Sequence, residues 1–226
     1  MKVLVSGAGR GGTNLLSSLI VQITGLVLNG GQEDRQFFQR KKINDNYIGK
    51  LATENPNFTK KNIKKVLDEN EDLKICFVLR NPIDNCLSKI YRGRPNGDKI
   101  NNSLSADATE ETSVNYMKKL YDIIDFLHLN YSERIILIKM NDIISKPEYV
   151  TRKISTFIDV IPKNFEGFQK NNQNTYQKKR YSDVIHKSQI DTHKNIDSIY
   201  DGFFSVDTVE YLKKELNDII IKYKSF

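Results

Sequence analysis

The feature that most constrains this chain is a knot of glycines between a buried strand and a helix. Lys2-Val3-Leu4-Val5-Ser6 is a short apolar run of the kind that makes a parallel strand covered on both faces. From Thr13 to Thr24, apolar residues recur at Leu15, Leu16, Leu19, Ile20 and Ile23, the spacing of one helix face. Between them stands Gly7-Ala8-Gly9-Arg10-Gly11-Gly12, and seven of the twelve glycines fall in the first 31 residues. A strand that turns so tightly into a helix aims backbone N–H groups and the helix's positive end into one cavity, which suits a phosphate.

The rest of the chain keeps the alternation of strand and helix. A second strand is expected at Gly25-Leu26-Val27-Leu28, closed by Asn29-Gly30-Gly31, and a third at Leu73 to Leu79. Asn81-Pro82 opens a helix with an N-cap and a first-turn proline. An amphipathic helix follows from Glu111 to Asn130, then a fourth strand from Arg134 to Met140. Further helices are expected from Glu148 to Ile158 and from Val206 to Lys222. The stretch 92–107, rich in Gly, Asn, Ser and Asp, reads as a lid-like loop, and 171–195 as a polar, irregular segment. This order predicts a single α/β domain over residues 1–226, a parallel β-sheet flanked by helices.

Composition removes other classes. With 38% apolar residues, eleven Tyr and eleven Phe among 226 residues, the chain has enough to bury for a core and is not disordered. Two cysteines, Cys76 and Cys86, make neither a disulfide framework nor a structural zinc site, and no His/Cys/Asp cluster offers a metal centre. No apolar stretch reaches the roughly 18 residues of a membrane span, and glycines begin too early for a signal peptide, so a cytoplasmic protein is expected. The net charge of +7 is local. Nine basic against two acidic residues lie between Arg35 and Lys65, and a second basic cluster holds Lys178, Lys179, Arg180, Lys187 and Lys194. An anionic partner follows: a polyphosphate ligand, an acidic acceptor or nucleic acid.

Three phosphate chemistries compete for the first junction. Gly7, Gly9 and Gly12 meet a dinucleotide fingerprint, with Glu33 and Asp34 about twenty residues on, which is the pattern of an NAD-binding oxidoreductase. A nucleotide kinase would need a lysine after Gly12, where Thr13 stands. The third chemistry gives Arg10 a purpose, as a guanidinium inside the phosphate loop. A second junction bears on the choice. Ile75-Cys76-Phe77-Val78-Leu79-Arg80 brings a guanidinium to the carboxyl end of a buried strand, where α/β ligands bind. With Pro82 at the first helical position, Asp84, Ser88 and Arg92 share one helix face, so a hydroxyl and two guanidiniums face one anion.

These two motifs, in this order, resemble the sulfotransferase superfamily. Arg10-Gly11-Gly12-Thr13-Asn14-Leu15-Leu16 is similar to its 5′-phosphosulfate loop, and Arg80 through Ser88 to its 3′-phosphate motif. The stretch from Ile135 through Asp142 and Pro147 to Ile158 resembles the later strand and helix. The resemblance implies a P-loop-like fold, 3′-phosphoadenosine 5′-phosphosulfate (PAPS) as donor, and a hydroxyl-bearing acceptor: carbohydrate, tyrosine or small molecule. It makes Gly9, Arg10, Gly11, Gly12, Thr13, Asn14, Arg80, Ser88 and Arg92 donor-binding, and Arg10 catalytic as well. Within the superfamily the chain looks most like tyrosylprotein and carbohydrate-type enzymes, because Gly30-Gly31-Gln32-Glu33-Asp34-Arg35 matches their Gly-rich turn and Glu-x-Arg; this implies Glu33 as the catalytic base. Arg180, Ser182 and Lys187 correspond to a late cofactor-contacting segment, and His186 and His193 are reserve candidates for the base. Gly11 stands in place of the usual Ser and Asn14 in place of Thr, so the acceptor is not carried over. A basic nucleic-acid-binding module around Phe37, Phe38 and Tyr47 is the non-enzymatic alternative.

Overall fold

The computed structural model describes residues 1–29, 33–93, 109–163 and 204–226. Four parallel strands, β1 (Lys2–Gly7), β2 (Tyr47–Ala52), β3 (Leu73–Leu79) and β4 (Ile135–Lys139), form one sheet in the order β2-β1-β3-β4. In register, Leu4 lies between Gly49 and Ile75, and Phe77 beside Leu137. The chain leaves β1 for β2 on one side and then returns to place β3 on the other. Such a reversal makes the crevice beyond the carboxyl ends of β1 and β3 the natural ligand site of the sheet.

Alternation along the strands divides the core into two layers. Val3 and Val5 face one way, against Leu16, Leu19, Ile20 and Ile23 of α1 (Thr13–Thr24), with α5 (Met140–Ser145) and α6 (Pro147–Ile158) beside them. Leu4 faces the other layer, built from α2 (Lys60–Glu69), α3 (Pro82–Gly93), α4 (Glu110–Tyr131) and Leu212 of α7 (Val206–Glu215). Each fully buried Leu, Ile or Phe contributes about 1.5–3 kcal/mol. A last helix, α8 (Asn217–Ser225), rests against α3 and α4.

One expected element is corrected. The second strand is Tyr47–Ala52, whereas residues 26–28 make no strand and Asn29 forms a single bridge to Gly49. The sequence Tyr47-Ile48-Gly49-Lys50-Leu51-Ala52 hides its strand because a glycine and a lysine interrupt it. Tyr47 folds its ring across Gly49, where a Cβ would collide with the phenol, to reach Asp34. Lys50 is buried despite its charge. The single C-terminal helix also divides, with a break at Leu216, and Met140 opens α5 instead of ending β4.

Candidate active site

The glycine loop joins β1 to α1 with two residues in left-handed conformation, Arg10 at φ 66° and Gly12 at φ 99°. At Gly12 a Cβ would meet the Met140 side chain at 2.8 Å, and at Gly11 it would meet the Ala8 carbonyl at 2.7 Å. At these two positions there is room for backbone alone. Gly11 N–H closes a turn onto Ala8 O at 2.8 Å. The helix ladder starts with Leu16 N–H on Gly12 O at 3.0 Å, so the amides of Thr13, Asn14 and Leu15 lie outside it, at the positive end of α1.

The second junction meets the first directly. Arg80 follows the last residue of β3, and its buried side chain donates from Nη1 to Arg10 O at 3.3 Å. Asn85, on the first turns of α3, donates from Nδ2 to Gly9 O at 3.3 Å. Arg80 Nε and Asn85 Oδ1 are buried without a hydrogen-bond partner among the described residues. A buried donor on a cation costs stability until an acceptor satisfies it, so Arg80 Nε has capacity for one further acceptor. Ser88, two helical turns beyond Arg80, is buried at 3% exposure. Arg92 is in the last turn of α3, and its side chain lies outside the described part of the structure.

Glu33 sits beside the carboxyl end of β2, where Asp34 N–H donates to Lys50 O at 2.8 Å. It does not follow a strand at residues 25–28, as the sequence suggested, yet it reaches the same cleft. Burial raises its carboxyl pKa; Lys50 opposes that, Glu54 adds to it, and Arg35 and a backbone hydrogen bond from Ala52 lower it. Lys50, across from it, donates to Asn14 Oδ1 on α1. Burial brings this ammonium down from 10.5 to about 8, with Glu33 as the counteracting charge. Asp34, the second acid of the dinucleotide fingerprint, is committed elsewhere. It is 2% exposed, accepts from Tyr47 OH at 2.7 Å, and is ion-paired to Arg40 at 3.2 Å.

The sequence alone did not single out Lys50, Glu54, Asn85, Lys89 or Tyr223. Their partners lie tens of residues away in the chain, and no local motif marks them. Tyr223 of α8 is held beside Arg80, Asp84 and Asp142; burial and the two carboxylates push its phenol up to about 12, against the opposing effect of Arg80. Lys139 Nζ lies 5.1 Å from its ring centroid. Arg180, Ser182, Lys187, His186 and His193 lie outside the described residues, as do 94–107 of the lid-like loop and all of 171–195. Part of the basic stretch is paired with carboxylates of the same chain, mostly at the surface. Arg40 pairs with Asp34, Lys60 with Asp122, Lys64 with Asp68 and Lys65 with Glu69.

With this geometry in place, comparison with known proteins is decisive: the model of the sulfotransferase domain matches residues 1–222. The chain belongs to the sulfotransferase family. No curated protein matches it. Among solved structures, the mouse sulfotransferase SULT7A1 complexed with PAP is similar at a TM-score of 0.61 and 14% identity, covering 100% of this chain and 88% of that one. The sulfotransferase domain of the Synechococcus PCC 7002 olefin synthase is similar at 0.54 and 14%, covering 94% and 93%. A sulfotransferase from Alicyclobacillus acidocaldarius gives 0.52 and 16%, covering 76% and 87%. At these identities the likeness establishes the fold, the parallel α/β sheet of the sulfotransferases. Among the described residues of this sulfotransferase, no helix is long and apolar enough to cross a membrane, and Cys76 and Cys86 are buried free thiols.

Proposed function

We propose that this sulfotransferase, a single domain over residues 1–226, takes PAPS as donor and moves its sulfuryl group to an acceptor hydroxyl. The observation that carries the reading is the contact between the two anion-seeking junctions, with Arg80 Nη1 on Arg10 O at 3.3 Å and Arg80 Nε still seeking an acceptor among the described residues. A ligand with phosphates at two ends of one nucleoside fits such a pair better than a nucleotide charged at one end. When bound, PAPS supplies an activated sulfuryl group on its 5′-phosphate.

The residues divide the work. The amides at the start of α1, with Gly9, Gly11, Gly12, Thr13 and Asn14 shaping the cradle, hold the 5′ end. Arg10 lies in that loop, where negative charge grows on the departing phosphate; preorganised charge of this kind is worth about 3–4 kcal/mol of barrier. Arg80, Ser88 and Arg92 hold the 3′-phosphate, and the sequence resemblance adds Arg180, Ser182 and Lys187 as further nucleotide contacts. Glu33 removes the acceptor proton. Its raised pKa makes it a better proton acceptor than an ordinary carboxylate, and the Lys50 ammonium opposes that rise by favouring the charged form. The acceptor is a hydroxyl compound, and the positive surface around Arg35, Lys41 and Lys42 suits one with acidic groups.

The Asp34–Tyr47–Arg40 cluster weighs against an NAD-dependent oxidoreductase, because the acid needed for the ribose is already bound. Calorimetric titration with 3′-phosphoadenosine 5′-phosphate (PAP), ATP–magnesium and NAD in parallel tests the choice. PAP is expected to bind at least tenfold more tightly than the other two; equal or tighter binding of either competitor refutes the assignment.

A further inference from the structure

Glu54 stands two residues beyond β2 and has no role in the account of donor and acceptor given above. Both of its carboxylate oxygens accept from Gly9 N–H, at 2.8 and 2.9 Å. The same carboxylate is ion-paired with Lys89 of α3, whose side chain is 9% exposed. Lys89 is the residue after Ser88, and its ammonium also lies 4.7 Å from the ring centroid of Tyr116 on α4. Next to Glu54, Asn55 O accepts from Lys119 Nζ of α4 at 3.2 Å. One side chain thus ties together the start of the glycine loop, the exit of β2, and the helix that carries the 3′-phosphate residues.

The chemistry of these contacts suits alignment. A backbone N–H bound by a charged acceptor makes a stronger bond than a neutral pair, so the Glu54 carboxylate holds Gly9 N–H firmly. Gly9 has no side chain of its own to fix its place, and a Cβ there would meet Glu54 Oε1 at 3.1 Å. Lys89, poorly exposed, needs its counter-charge: removing one partner of such a pair strands the other. Asn85, one helical turn before Lys89, adds a second tether through Gly9 O. The two tethers meet at the same glycine, one directly from α3 and the other from α3 through Glu54 at the exit of β2.

We infer that Glu54 and Lys89 are positioning residues, a charged strut that sets the separation between the 5′-phosphosulfate loop and the 3′-phosphate helix. The inference rests on the donor reading above. A ligand that spans both anchors depends on that separation, whereas one that occupies the glycine loop alone does not. PAP carries a phosphate at each end and AMP only the 5′ one, so the ratio of their affinities reads the strut.

The test is calorimetric titration of PAP and AMP into the wild type, Glu54→Gln, Lys89→Met and the double variant Glu54→Gln/Lys89→Gln, with thermal melting as the fold control. Each variant is expected to lower the PAP-to-AMP affinity ratio at least tenfold, and the double variant by no more than the worse single one, because the two side chains act as a unit. The double variant strands no lone buried charge, so it supplies the reading even where a single variant does not fold. Variants that melt lower yet keep the wild-type ratio within twofold overturn the strut and reduce the pair to a structural one. A wild type with no preference for PAP over AMP defeats the donor reading itself, a different result from loss of the strut alone.

Discussion

Replacing Lys50 by Met should stabilise the protein at neutral pH, and the gain should vanish in alkali. Lys50 is 6% exposed and lies on the central part of a strand. Its ammonium has a value of about 8 in the folded protein against 10.5 when free. At about 1.4 kcal/mol per pH unit, keeping that charge buried costs about 3 kcal/mol at pH 7. Between pH 8 and 10.5 the unfolded chain holds the proton and the folded one does not, so wild-type stability from this group rises with pH and the cost falls to about 1 kcal/mol by pH 10. Met fills the same space without a charge but forfeits the bond to Asn14 Oδ1, a loss of about 1 kcal/mol. The variant should therefore be about 2 kcal/mol more stable at pH 7 and equal to the wild type near pH 10. Urea unfolding of both proteins at pH 7, 8, 9 and 10 measures the difference, with titrating groups that do not touch Lys50 cancelling and the same series on Glu33→Gln isolating its coupled carboxyl. A stability difference flat across that range, or a variant less stable at pH 7, refutes the argument that the ammonium is held there against its desolvation.

Glu33→Gln should lower the rate of sulfuryl transfer by about 10²- to 10⁴-fold while PAP affinity stays within threefold, read by initial rates with labelled donor and by calorimetry. Wild-type turnover should rise with pH through a value above the ordinary 4.5 of a glutamate, because the base must be ionised and its folded pKa is raised by burial; a pH–rate profile with its acid limb at or below 4.5 contradicts this. Gly7→Ala should cost about 2 kcal/mol or more in urea unfolding, since the residue has φ 152° and its Cβ would stand 2.6 Å from the immovable carbonyl of Val78. Arg134→Ala should destabilise by about 2–4 kcal/mol, because its guanidinium satisfies the carbonyls of Leu67 and Leu73 at 3.0 Å and that of Asn70; a loss below 1 kcal/mol would show that water replaces it.

The parts of the fold legible in the sequence were those whose residues obey one local rule. Val3-Leu4-Val5 and Ile75-Cys76-Phe77-Val78-Leu79 are buried on both faces, so continuous apolar runs disclosed β1 and β3, and the glycines and Arg80 marked their outlets. β2 was missed because it is locally inconsistent: Gly49 makes way for the Tyr47 ring, and Lys50 is buried for the sake of Asn14 and Glu33. The run Leu26-Val27-Leu28 looks more strand-like, yet Val27 is 64% exposed and the bridge to β2 comes at Asn29, after the run has ended. Glu33, proposed as the base from its Glu-x-Arg context, lies beside the carboxyl end of β2 and not beyond a strand at 25–28. Glu54 and Lys89 were not legible in the sequence, because their meeting with Gly9 is a property of the parallel register, which brings Thr53 N–H to Gly7 O across 46 residues of sequence.

The account depends on a single nucleotide being gripped at both ends, and Arg80→Ala measures that most directly. Titrated with PAP and with AMP, the variant should lose about 10- to 100-fold in PAP affinity, the worth of a charge-assisted phosphate contact, and less than threefold for AMP. Equal losses for the two ligands, or none for PAP, would mean that the guanidinium at the end of β3 holds no 3′-phosphate.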